Sequence, residues 1–392
     1  MDAGQVAKAL HRAWTGVTDM SKSQKLVISG YYGYDNCGDE AVLLSIVSSL
    51  KELMPNIIIT VLSGNPTKTK ELYGVKAINR WNPFAIFFAL MSCRMLISGG
   101  GSLLQDETST KSLRYYLAII NLARMLGKKV MIYSQGIGPL NADDSRKMVQ
   151  KTLNRCHEIT VRDTASASLL REIGITREIK VVCDPVLLLS SLDYADLGII
   201  DELEQLRLIG EDGVKKNFVA QKPILLAAIR CWKDDGHIIE VAKFLDEQTK
   251  NGYDVLLVPA HYPDDLLACV SIRVAMSSEV YCINKSLTAK EFNALTSHAD
   301  YVFSMRLHGL ICAYAAGTPI LALSYDPKVD AFMEQVNLKE YCLAYDNFES
   351  NKAMTLFEKL SHAPKETQLA HKETMNELAW STSKKAIELL KQ

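Results

Sequence analysis

What this chain lacks narrows its class first. Its 44 Lys and Arg nearly cancel its 45 Asp and Glu, leaving a formal net charge of −1. A dedicated nucleic-acid binder carries a strong basic excess, so no nucleic-acid partner is expected. Nine cysteines are scattered from Cys37 to Cys342 without one CxxC pair. That pattern suits reduced, buried thiols in a cytoplasm better than a disulfide framework. No His, Cys, Asp and Glu stand together at metal-ligand spacing, so no metal site is expected. The opening MDAGQVAKALHRAW has no long apolar segment of the kind a secretory signal needs. No run reaches the roughly 18 apolar residues of a membrane span. The nearest, Phe84 to Met91, ends at Arg94. It reads as a buried helix leading into a strand, with an interfacial helix that touches lipid as the alternative.

The 392 residues, 48% hydrophobic and 23% charged, suit a soluble globular chain of two domains. Short β-branched runs such as Leu26 to Ser29, Ile57 to Leu62 and Met95 to Ser98 alternate with helical patterns such as Glu40 to Leu53 and Leu113 to Leu126. Strand-then-helix repetition predicts a parallel, doubly wound sheet. The pattern breaks near Leu189. Residues Ser190 to Lys222 are richer in charge and show no clear strand. It restarts at Ile224 and runs through strands Val255 to Val258, Tyr301 to Phe303 and Ile320 to Leu323. The expected fold is α/β: two doubly wound Rossmann-like domains facing each other across a cleft, similar to the GT-B architecture. The expected division is 1–200, 201–364, and a C-terminal helix over 365–392 that packs back on the first domain.

Ligands of open parallel sheets bind beyond the carboxyl ends of the strands. Ser304-Met305-Arg306-Leu307-His308-Gly309 lies at such an end, and Tyr325-Asp326-Pro327-Lys328 at the next. Three cations ending adjacent apolar strands point to an anion clamp with a titratable imidazole beside it. The blander reading is salt bridging to Asp326 or Glu334. Arg230 and His261 end two more strands of the same layer. On the first domain, the Gly-rich stretches Gly30 to Glu40, Gly99 to Asp106 and Gln135 to Pro139 form the facing rim. Gly33, Asn36, Asp39, Gly100, Gly101, Asp106 and Gln135 are the candidates there for holding a second substrate. Arg162-Asp163 reads as a buried ion pair bracing that rim.

The stretches GYYGYDNCGDEAVL, GGGSLLQD, SQGIGP, VRD, DP and SMRLHG…GTPILALSYDPKV resemble the polysaccharide pyruvyl transferase family. Within it they resemble the CsaB-type enzymes of secondary cell wall polymer synthesis, which serve S-layer anchoring. The likeness spans Leu26 to Val336, in family order. It implies transfer of pyruvate from phosphoenolpyruvate to two hydroxyls of one sugar, giving a cyclic ketal and phosphate. The CsaB likeness implies a 4,6-ketal on N-acetylmannosamine, in a disaccharide linked to undecaprenyl diphosphate at the cytoplasmic membrane face. It also implies that Arg306, Leu307 (through its backbone) and His308 hold phosphoenolpyruvate, with His308 also the acid, Arg230 the upstream phosphate ligand, and Lys328 the lysine after the final core strand. Phosphoenolpyruvate is then a co-substrate, and no cofactor is required.

The chemistry agrees with the residue types. An enol phosphate is attacked at C2 only after its methylene carbon is protonated, which calls for a general acid such as an imidazole. Two other readings stay open on sequence: a GT-B glycosyltransferase or epimerase acting on a nucleotide sugar, and a two-domain sugar-binding module without catalysis.

Overall fold

The computed structural model describes residues 24–107, 109–191, 207–209, 215–217, 222–233 and 236–392. The opening MDAGQVAKALHRAW and most of the Ser190 to Lys222 connector lie outside the described residues.

Seven strands form the first sheet: β1 (Lys25–Ser29), β2 (Ile58–Ser63), β3 (Lys76–Asn79), β4 (Met95–Gly99), β5 (Lys129–Gln135), β6 (Glu158–Val161) and β7 (Lys180–Val181). They run parallel in the order 3-2-1-4-5-6-7. A short antiparallel pair, β8 (Arg207–Ile209) and β9 (Lys215–Asn217), follows. It falls where no strand was expected, because R-L-I and K-K-N lack the long β-branched runs by which parallel strands are read. The second sheet holds β10 (Ile224–Ala228), β11 (Asp254–Leu257), β12 (Tyr281–Cys282), β13 (Tyr301–Ser304), β14 (Ile320–Ser324) and β15 (Cys342–Ala344), all parallel, in the order 12-11-10-13-14-15. Strands buried on both faces read as near-continuous apolar runs, and Leu26, Val27 and Ile28 of β1 are all fully buried.

In both sheets the strand order reverses beside the first strand, between β1 and β4 and between β10 and β13. Ligands bind at such switch points. Six helices matter here. They are α1 (Cys37–Leu53), α2 (Pro83–Ser92), α3 (Thr110–Met125), α4 (Leu307–Ala316), α5 (Pro327–Gln335) and α6 (Lys372–Lys391). Asn36 starts α1 by accepting from the N–H groups of Gly38 and Asp39, and Pro55 follows its end. Asn82 caps α2, with Pro83 at its first helical position.

Helix α2 departs from the buried reading. Only Ile86 and Leu90 are buried, while Phe84, Phe87, Phe88 and Met91 face out. A sequence apolar on nearly every position does not reveal which stripe meets the sheet, so the default of burial fails here.

Three features join the two halves. The Cys37 N–H donates to the Ala260 carbonyl (3.2 Å), within a bridge that pairs Asn36 with His261. Gln335 Nε2 donates to the carbonyls of Val182 (2.8 Å) and Arg162 (3.2 Å). One continuous apolar core runs from Leu43 and Ile46 of α1 through Val186 and Leu189 to Ile311 and Cys312 of α4. The last helix, α6, lies on the first sheet. Its Ser383 Oγ donates to Ser49 Oγ (2.9 Å) and shares a hydrogen bond with Tyr133 Oη (2.6 Å), all three side chains being buried. The facing sheets are thus fixed by packing as well as by the chain between them.

Candidate active site

The carboxyl ends of the two sheets enclose a cavity of about 430 Å³. Asn36, Gly38 and Asp39 reach it from the start of α1, and Gly101 and Ser102 from the turn after β4. Arg306, Leu307 and His308 come from the turn after β13, and Tyr325, Asp326 and Lys328 from the turn after β14.

The turn after β13 is built around Ser304. Its hydroxyl donates to the carbonyls of Arg306 (2.9 Å) and Ala228 (3.3 Å). A Cβ at Gly309 would lie 2.6 Å from that hydroxyl, so only glycine lets the helix start so close to the strand. Arg306 sits at the helix cap, and no side chain caps α4. The first-turn N–H groups of Leu307 and His308 are therefore left pointing at whatever fills the cavity. An uncapped helix N-terminus is a ready anion site. Helix α5 differs, since Asp326 accepts from the Lys328 N–H (3.0 Å).

His308 belongs to the second domain but is lodged in the first. A Cβ at Gly38 would stand 2.2 Å from His308 Nδ1, so the imidazole edge fills the space that glycine leaves open. On its other side, Nε2 lies 3.7 Å from Asp184 Oδ2. That is an ion contact rather than a hydrogen bond, and Nε2 is a buried polar atom with no hydrogen-bond partner among the described residues. Such an atom in a cavity wall is poised for a ligand or water. Arg162 Nη1 donates to the same Asp184 oxygen (2.9 Å). Burial alone would push the Asp184 carboxyl up, but His308 and Arg162 outweigh it and hold it down at about 2. Asp184 is therefore a fixed negative charge behind the imidazole.

Each of the other cations at the cavity also meets a carboxylate. Arg306 holds Asp265 in a two-pronged pair, through Nε to Oδ2 (2.9 Å) and through Nη2 to Oδ1. Asp265 is almost wholly buried and also accepts from the His261 N–H (3.0 Å). Removing one partner of a buried pair costs about 3–5 kcal/mol, so Arg306 is anchored and cannot swing freely. Lys328 Nζ lies 3.2 Å from Asp326 Oδ2, with both side chains partly exposed. It remains the mobile charge of the group.

Asp39 faces these cations from the first turn of α1. A Cβ at Gly101 would lie 2.8 Å from Asp39 Oδ1, so that glycine leaves room for the carboxylate. Burial pushes the Asp39 carboxyl up to about 6, against the opposing pull of His308. Among the cavity residues it titrates close to neutrality.

The structure separates the remaining candidates from the cavity lining. Arg230 lies one layer back. Its Nη1 donates to Tyr325 Oη (3.2 Å), and its guanidinium stacks over Trp232 and Tyr325. The Gly33 N–H donates to Glu40 Oε1 (2.6 Å) in a separate turn. Gly100 packs against Val42, where a Cβ would come within 1.9 Å. Asp106 accepts from the Asn141 and Ala142 N–H groups, bracing a loop. Gln135 is fully buried and donates to Ser98 Oγ (2.8 Å). Arg162 does line the cavity; read as paired with Asp163, it has its closer partner in Asp184 (2.9 Å against 3.8 Å). Sequence reasoning missed Asp184 as the partner of His308 and Asp265 as the anchor of Arg306. It also missed Tyr31, Ser112 and Tyr116 in the wall. Asp184 had a signal, since it ends a strand of the same layer. Asp265 had none, because it lies in a loop far in sequence from Arg306.

The family model for polysaccharide pyruvyl transferase matches residues 36–327. The amylovoran biosynthesis protein AmsJ of Erwinia amylovora is 19% identical over 375 residues, covering 81% of this chain and 87% of that protein. Two solved structures share the fold. The UDP-GlcNAc 2-epimerase of Neisseria meningitidis bound to UDP-GlcNAc has a TM-score of 0.61 at 14% identity, covering 94% of this chain and 99% of that one. HepE of Anabaena in complex with UDP-glucose has a TM-score of 0.58 at 13% identity, covering 93% and 99%. At such identities the likeness to these two is one of fold.

The Gly38 slot is directly testable. Gly38→Ala puts a methyl group where the His308 ring edge lies, while alanine suits a helix better than glycine by about 1 kcal/mol. The imidazole should be displaced, with shifted His308 ring signals by NMR, and the clash of about 1–3 kcal/mol should lower the melting temperature. Unaltered ring signals would show that the slot does not position His308.

Proposed function

This chain belongs to the polysaccharide pyruvyl transferase family, and on that premise we propose how its cavity transfers pyruvate from phosphoenolpyruvate to a sugar. The observation that carries the reading is the uncapped N-terminus of α4, open to the cavity beside His308 and Lys328. The phosphate lies against the N–H groups of Leu307 and His308, with Lys328 as its mobile counter-charge. Arg306, held by Asp265, adds positive potential from a fixed position. Arg230 acts through Tyr325 rather than by direct contact.

His308 gives its proton to the methylene carbon, and C2 becomes electrophilic. An acceptor hydroxyl adds to C2 and yields its proton to Asp39. The C2–O bond to phosphate then breaks, and a second hydroxyl of the same sugar closes the ketal. Asp39 passes its proton to the departing phosphate and the second hydroxyl's proton restores His308, so protons balance over the turnover. Asp184 stands as a fixed negative charge 3.7 Å behind the ring that delivers the first proton. Holding both hydroxyls near one carbon is the task of the first-domain wall, where Asn36, Asp39 and Gly101 lie. The acceptor we propose is an N-acetylmannosamine residue, ketalised at its 4- and 6-hydroxyls, in a lipid-diphosphate-linked disaccharide. That finer identity rests on the CsaB-type motifs.

Mixing the protein with phosphoenolpyruvate and an N-acetylmannosaminyl acceptor should release phosphate and yield an acceptor heavier by one pyruvyl ketal. Release of UDP from a UDP-sugar, with no phosphate from phosphoenolpyruvate, would favour the nucleotide-sugar reading instead.

A base must be ionised to work. With the Asp39 carboxyl raised to about 6, kcat/KM should fall as pH drops through that value. Asp39→Asn should flatten this acidic limb and lower the rate by about 10²-fold or more. An unaltered acidic limb in that variant would remove Asp39 from the role.

A further inference from the structure

The outer face formed by α2 and α3 gathers the exposed aromatic rings Trp81, Phe84, Phe87 and Phe88. Trp81, Phe84 and Phe88 are 66, 76 and 66% exposed, and Met125 at the end of α3 is 79% exposed. The two helices lie side by side in the same direction. Trp81 packs on Tyr115 at their starts (ring centroids 5.3 Å apart), and Lys128 Nζ donates to the Met91 carbonyl at their ends (2.8 Å). Their charge is one-sided: α2 carries no charged residue, and α3 carries Lys111, Arg114 and Arg124 with no acidic residue. Lys111 and Arg114 of α3 and Arg94 after α2 are all exposed.

We propose that this face docks on the surface of an anionic lipid bilayer. Exposed Phe and Trp beside Lys and Arg is the pattern of a helix lying in a membrane interface, where rings enter the acyl boundary and cations meet lipid phosphates. A second copy of the chain is a poorer occupant, because a two-fold contact through this face would set cations against cations. No helix among the described residues is long and apolar enough to cross a membrane, so the contact is peripheral. The inner side of α3 explains the placement. Ser112 and Tyr116 of the same helix line the cavity. A bilayer at the outer face would therefore bring a lipid-linked acceptor to the cavity mouth. In that respect the proposal rests on the reading above, although its test does not.

The test is co-sedimentation of the full chain with vesicles of phosphatidylcholine alone and of an equimolar mixture with phosphatidylglycerol. Binding should require the anionic vesicles and weaken with added salt. The double variant Phe84→Ser, Phe88→Ser alters exposed side chains away from the cavity, so its melting temperature should hold. Its vesicle partitioning should fall about tenfold or more. Lys111→Gln with Arg114→Gln should reduce the salt dependence. Absence of vesicle binding, or binding undiminished in the Phe84, Phe88 variant, would overturn the proposal. So would self-association of the wild type that the same variant abolishes without any effect of lipid. If vesicle binding follows the proposal but no phosphate leaves phosphoenolpyruvate with any acceptor, the docking surface stands and the pyruvyl reading of the cavity fails.

Discussion

The structure depends on one placement: an imidazole from the second domain seated in a slot of the first. His308 meets the glycine edge of α1 on one side and the buried Asp184 carboxylate on the other. Neither domain alone makes this environment. The interdomain bonds at Cys37 and Gln335, together with the shared apolar core, hold the two halves in the register it needs. Fold and chemistry are therefore coupled at a single side chain. A shift of about 1 Å between the halves would misplace the acid by an amount that matters to rate.

Charge compensation is the second organising constraint. The sequence suggests an anion clamp of Arg306, His308 and Lys328 and an Arg162–Asp163 pair; in the structure Arg162, Arg306 and Lys328 each meet a carboxylate: Asp184, Asp265 and Asp326. Two of these pairs are buried, where an unpaired charge would be costly. The pairs fix guanidinium groups in place, so that the anion is met by preset donors. What remains open to a ligand is the backbone at the start of α4 and the ammonium of Lys328, whose pair with Asp326 is partly exposed. A dianion would thus be bound mainly by a helix end and a lysine, with arginines shaping the field around it. The carboxylate of Asp39 stands apart from these pairs, and burial sets its titration near neutrality.

Much of the fold was legible because parallel strands buried on both faces leave apolar runs that punctuation by Gly and Pro brings out. Two of the edge strands were not: β3 and β15 are short, at the rims of their sheets, and carry few β-branched residues. At the site, the motif around His308 was legible because cations rarely end buried strands. The contacts of those cations were not, because Asp184 and Asp265 are brought in by tertiary packing from 124 and 41 residues away. The Gly-rich turns misled in a specific way. Gly101 does open space at the cavity, whereas Gly33 and Gly100 serve turns and close packing. A glycine announces a close approach without saying to what. The exposed face of α2 shows the same limit for apolar residues, since composition alone does not say which neighbour is absent.

The account stands most directly on whether the imidazole seated between the domains delivers the proton. The decisive measurement is single-turnover ketal formation by His308→Ala, with phosphoenolpyruvate binding followed in parallel. Ketal should no longer form while the donor still binds at the start of α4. Ketal formation at the wild-type rate in that variant would contradict the account.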